Sequence, residues 1–88
     1  MTTVIKRDGR AVDYDREKIR RAIEKANNDV TGRDKASKDV IKEIIKHIED
    51  QKKKRLLVED IQDIIEEKLM ELGKYQLAKQ YITYRYTR

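Results

Sequence analysis

Apolar residues recur along this chain in two rhythms, one short and one helical. At the start, Thr3-Val4-Ile5-Lys6-Arg7 and Arg10-Ala11-Val12-Asp13-Tyr14 flank Asp8-Gly9. An Asp-Gly step between two short β-prone runs is the strongest local signal for a β-hairpin, and it predicts a two-residue turn. Side chains alternate along a strand, so Val4 and Lys6 share one face while Ile5 and Arg7 share the other. One face of the hairpin therefore carries cationic groups close to apolar ones.

The helical rhythm follows. Ile19, Ala22, Ile23 and Ala26 stand at the i, i+3, i+4, i+7 spacing of one helix face, with Asp13 or Asp15 placed to cap it and an end near Asn27 or Asn28. Asn27-Asn28-Asp29-Val30-Thr31-Gly32 is rich in turn formers. Periodicity resumes with Val40, Ile41, Ile44, Ile45 and Ile48 behind a Ser37 cap, which predicts a second helix. Leu56-Leu57-Val58 is short, apolar and uncapped, as a buried third strand would be. Glu59 and Asp60 then complement the positive end of a third helix, carried by Ile61, Ile64, Ile65, Leu69 and Leu72 and ended by Gly73. Leu77, Ala78, Tyr81 and Ile82 make a fourth amphipathic stretch that continues through Tyr84 to Arg88. The pattern predicts an α+β fold, four helices with up to three strands. With no repeat, proline-rich linker or low-complexity tail, residues 1–88 are expected to form one domain.

Composition changes this picture mainly by exclusion. Cys is absent and His47 is the only histidine, so thiolate zinc sites, disulfides, cysteine nucleophiles and histidine cages are not available. No apolar run approaches the roughly 18–20 residues of a membrane span, and the first residues lack a signal-peptide layout. A cytoplasmic chain without membrane contact is expected. The 22 Lys and Arg against 17 Asp and Glu give +5, which favours anionic partners such as nucleotides, nucleic acid or phosphate-rich surfaces.

The carboxylates offer little chemistry. Glu17, Glu24, Glu43 and Glu66 interleave with basic residues at helical spacing as on a solvated face, and no pair lies in an acid/base or metal motif. Lys52-Lys53-Lys54-Arg55 reads as a solvated hinge before it reads as a phosphate grip. Tyr75, Tyr81 and Tyr84 have faces on which a base can stack, but at helical spacing they more often complete a core. The hairpin and the helix after it carry more information. Lys6, Arg7 and Arg10 surround the Asp-Gly turn, and Lys18 emerges in the first turn of a helix whose amides also favour an anion. Lys6 is a point-charge phosphate ligand and Arg7 a bidentate one, while Val4, Ile5 and Ile19 offer apolar surface to a purine. The competing reading is a hairpin that is polar because one face meets water.

At these residues the chain resembles an ATP-cone, the regulatory nucleotide-binding domain at the N-terminus of many ribonucleotide reductase large subunits. The resemblance is carried by Val4-Ile5-Lys6-Arg7-Asp8-Gly9, by Tyr14, Lys18-Ile19, Ala22-Ile23 and Ala26, and by Val58-Glu59-Asp60-Ile61-Gln62 with Leu69-Met70. A last block, Ala78-Lys79-Gln80-Tyr81-Ile82-Thr83-Tyr84-Arg85, closes it in order and spacing. It implies a four-helix bundle capped by a small three-stranded sheet, and binding rather than catalysis. ATP or dATP, with magnesium, would be the effector, ATP generally permitting and dATP generally suppressing reductase activity, often through subunit association. A reductase catalytic domain or subunit and a homo-oligomer are the implied partners, and any catalysis would reside outside these 88 residues. Val58 and Val12 depart from relatives that carry a polar residue at these positions, so neither side chain is assigned to the ligand. The cone of zinc-ribbon repressors of reductase genes is preceded by a cysteine-bearing finger. Met1 stands two residues before the hairpin and Cys is absent, so a reductase module or a cone on its own is the expectation.

The second hypothesis is a small basic helical module that binds nucleic acid or a protein. It requires an extended basic stripe, whereas a nucleotide site needs few cations around one phosphate chain. Clustering of Lys6, Arg7 and Lys18 favours the nucleotide and makes nucleic acid the lesser expectation.

Overall fold

The computed structural model describes residues 2–87, with side chains to Tyr84; the sequence readings at Met1 and Arg88 lie outside the described residues. Strands β1 (Thr3–Ile5) and β2 (Ala11–Asp13) form the hairpin, followed by α1 (Arg16–Asn27), a 3-10 turn (Gly32–Asp34) and α2 (Lys38–Glu49). Strand β3 (Arg55–Leu57) then leads directly into α3 (Val58–Glu71), and α4 (Tyr75–Thr87) completes the described chain. This is the α+β fold expected, a four-helix bundle capped by a three-stranded sheet.

The sheet is mixed, in the order β2-β1-β3. β2 pairs antiparallel with β1 and β3 pairs parallel with it. The central register sets Val12, Val4 and Leu56 in one row across the three strands. That row faces the helices: Val4 and Leu56 are buried and Val12 packs against the core. Each helix buries most of the stripe its periodicity predicted: Ile23 and Ala26 from α1, Ile41, Ile44, Ile45 and Ile48 from α2, Ile61, Ile65 and Leu69 from α3, and Leu77, Ala78 and Tyr81 from α4, whereas Leu72 and Ile82, expected in the last two stripes, are exposed. These side chains meet in a single core.

Several boundaries follow from local chemistry. Asp15, not Asp13, caps α1, its carboxylate accepting from the Glu17 amide, and Ser37 caps α2 by accepting from Val40. Gly73, at φ 76°, ends α3: its amide donates to Met70 and that of Lys74 to Leu69, the paired bonds of a Schellman motif.

Three sequence expectations change. The hairpin turn is not a two-residue one. Lys6 donates to the Arg10 carbonyl at 2.8 Å and Gly9 to the Lys6 carbonyl at 2.9 Å, so Arg7, Asp8 and Gly9 form a three-residue loop. Only Gly9 (φ 89°) has positive φ there, the geometry of a type I turn closed by a left-handed residue. The Asp8 carboxylate makes it possible, accepting from the Arg10 amide at 3.1 Å and from its Nε at 2.7 Å. The third strand lies one residue earlier than Leu56-Leu57-Val58, because Val58 is already helical. The turn-rich segment after α1 contains a 3-10 turn that periodicity does not signal.

Candidate functional site

The hairpin loop overhangs the start of α3. Arg7 donates from Nη2 to Gln62 Oε1 at 3.3 Å and lies 3.8 Å from Glu59, tying the loop to the first two turns of that helix. No side chain caps α3, whose N-cap is Leu57. Glu59 and Gln62 thus contact the hairpin loop, whereas the sequence reading gave Glu59 only a place at the helix dipole and Gln62 no role. Their signal was the block Val58 to Gln62, which reads locally as no more than a helix start.

The cations separate into two groups. Arg10 is turned back on Asp8, Arg16 is paired with Glu49, and Arg20 bridges Glu17 and Glu24. Lys6 and Lys18 are exposed and their ammonium groups have no ion pair or hydrogen bond among the described residues. Lys6 continues the helix-facing side of β1 beyond Val4. Lys18 stands in the first turn of α1, which β2 reaches from the loop over a strand only about 7 Å long. At the α1 terminus Asp15 already occupies the Glu17 amide and adds negative charge, so that amide is not free for an anion.

The apolar candidates are divided between the two sheet faces. Val4 is buried in the core, and Ile19 is half-buried against it. Ile5 lies on the opposite, outer face beside Ala11 and Leu57. A single planar base therefore cannot lie against both Ile5 and the inner pair. Of the tyrosines, Tyr81 is buried and Tyr84 packs against the core, hydrogen-bonding to Asp29, while Tyr75 is exposed. His47 is exposed on α2.

At the other end of the sheet an open cleft of about 450 Å³ is lined by Thr2, Tyr14, Arg16, Glu49, Lys52 and Leu56 among others. Three of its polar side chains, those of Tyr14, Arg16 and Glu49, are engaged with each other. Tyr14 donates to Glu49 at 2.8 Å, and Arg16 clasps the same carboxylate at 2.5 and 3.0 Å. Burial, followed by the neighbouring Glu49 carboxylate, pushes the Tyr14 hydroxyl above its ordinary 10.0. Among the described residues no group of three or more metal-ligating side chains comes together, and no helix is long and apolar enough to cross a membrane.

The family model described as the ATP cone domain matches residues 2–88. The chain belongs to the ATP-cone family. Two similar proteins carry the description ribonucleoside-diphosphate reductase subunit alpha. The one from Chlamydia muridarum is 36% identical over 97 residues, and the one from Chlamydia trachomatis serovar D is 34% identical over 97 residues. Each alignment takes in 98% of this cone but 9% of the relative, so the chain spans about a tenth of the length of the curated relatives it matches.

Proposed function

We propose that this cone is an adenine-nucleotide-binding regulatory domain, non-catalytic in itself, that acts on a ribonucleotide reductase catalytic domain or subunit. The match to the ATP cone over nearly the entire chain is the observation that carries this reading. The arrangement of cations supports it. Lys6 and Lys18 are left without partners near the hairpin while most arginines of the first helix and hairpin are neutralised by carboxylates, which suits one compact anion better than a nucleic-acid backbone. In this reading Lys6, Arg7 and Lys18 would hold the phosphates, whose charge a bound magnesium would partly neutralise, and Ile19, backed by the buried Val4, would supply the apolar wall. Ile5 acts from the outer face only as backbone of the central strand. ATP and dATP shift the docking of the hairpin on the bundle, and with it the association of subunits, to different degrees.

Calorimetric titration with ATP, dATP and GTP, each with magnesium, tests the binding. Lys6→Ala and Lys18→Ala are each expected to weaken ATP by about 1.5–3 kcal/mol, the range for a charge-assisted contact, with unchanged melting. Unchanged affinity in both variants would overturn the site. Light scattering under saturating ATP and dATP tests the regulatory part, and identical masses would remove the switch from the cone itself.

A further inference from the structure

The sheet has a second face that the nucleotide reading does not use. Opposite the Val12–Val4–Leu56 row, two rows point away from the helices: Ala11–Ile5–Leu57 and Asp13–Thr3–Arg55. Leu57 is 52% exposed, Ala11, Asp13 and Arg55 are exposed, and Ile5 and Thr3 are half-exposed. Neither Asp13 nor Arg55 has a side-chain partner among the described residues, although in-register rows place them on the two outer strands with only Thr3 between. An acid on one edge, a base on the other and an apolar row beside them form a patch with a definite polarity.

We propose that this face pairs with the same face of a second copy of the chain, about a two-fold axis parallel to β1. The axis follows from the residue order. Rotation about a line along the central strand lays β2 of one copy over β3 of the other. Asp13 then meets Arg55 of the second copy, and Arg55 meets its Asp13. In the next row Leu57 meets Ala11, large against small, and Ile5 meets Ile5. At the usual separation of about 10 Å between packed sheets, an arginine and an aspartate facing each other span the gap. The alternative axis, across the strands, sets Arg55 over Leu57 and leaves both charges unpaired against apolar groups, which costs free energy. Self-complementarity under one rotation is what an isologous interface requires. The rows cover only roughly 14 Å by 10 Å, well below the ~800 Å² per partner of a standard interface, so the pairing is weak and concentration-dependent. Of the residues first considered for the nucleotide it uses only Ile5, whose side chain the proposed function leaves out of the ligand site, and its test is separate.

Sedimentation equilibrium of the chain without nucleotide, up to about 1 mM, is expected to show mass rising from one chain toward two. Asp13→Arg places like charges opposite each other, as does Arg55→Asp, and each should weaken association by about tenfold or more. The decisive sample is a one-to-one mixture of the two variants. One copy then presents two cations and the other two anions, so the mixture is expected to associate at least as well as the parent while each variant alone stays monomeric. A parent chain that remains monomeric at the highest concentration would overturn the proposal. So would single variants that associate as the parent does, or a mixture that fails to associate; each variant's circular dichroism establishes that it is folded.

Discussion

Asn27 is the one buried polar residue among the described residues, 8% exposed, and it acts as a clasp. Its Nδ2 donates to the Ala36 carbonyl at 2.9 Å and its Oδ1 accepts from the Ala36 amide at 2.8 Å, so one side chain satisfies both backbone groups of a buried residue nine positions on. Asn27→Ala should therefore cost about 2–4 kcal/mol, because two buried backbone groups lose their partner. Asn28→Ala, at an exposed position, should stay within about 0.5 kcal/mol. Equal urea midpoints for the two variants would show that the clasp carries no stability. In the sequence Asn27 is the first of a run of turn formers, and only the fold distinguishes it from Asn28. Tyr14 makes a second single-residue case. Its hydroxyl is held neutral by burial and by Glu49, so its folded pKa lies above the ordinary 10.0. A raised pKa contributes stability that is fully present below the unfolded value and is lost as pH rises above it, since the unfolded chain releases the proton first. The melting temperature of the parent should consequently fall more steeply between about pH 9 and 11 than that of Tyr14→Phe. Parallel curves would show that the Tyr14 hydroxyl titrates alike in both states.

At the scale of elements, helices were legible because their apolar stripes are long enough for the 3.6-residue period to repeat, and because Ser37, Asp15 and Gly73 terminate them by chemistry that acts locally. The hairpin's existence was legible too, but its turn was not. Asp-Gly suits a two-residue turn and also a three-residue loop with one left-handed glycine, and the deciding contact, Asp8 to Arg10, depends on folded geometry. A strand of three residues has too little length to show its phase, which is why β3 was placed one position late. Two left-handed positions now provide a test of these turns. Gly9 has open space where a Cβ would stand, so Gly9→Val is penalised by the backbone alone, by about 1–2 kcal/mol. Lys52 occupies a similar conformation, φ 51°, without being glycine. Lys52→Gly should be neutral or stabilising by up to about 1 kcal/mol. Equal losses of denaturation midpoint in the two variants would contradict the backbone account.

For the whole molecule, the cations of the site could be singled out in the sequence as a cluster around one turn, and family resemblance extended that cluster across the chain. The contribution of α3 was not legible from local pattern, because the Arg7 contact with Glu59 and Gln62 joins residues brought together only by the sheet. The division of Val4 from Ile5 was available from alternation alone, yet which face met the helices had to await the packing of Val12 and Leu56.

That sheet also orders events during synthesis. Its middle strand is the first to leave the ribosome, but Thr3 to Ile5 pair on one side with Arg55 to Leu57. Until β3 emerges, the nascent chain can offer β1 only the short β2, and an isolated two-stranded hairpin is marginal in water. Closing the intervening loop becomes favourable once α1 and α2 exist to shorten the span, so the pairing that depends on the longest sequence separation forms late. The hairpin is in this way completed by a strand made only after α1 and α2, and a truncated translation product ending before Arg55 would expose Val4 and its neighbours to the cell's chaperones.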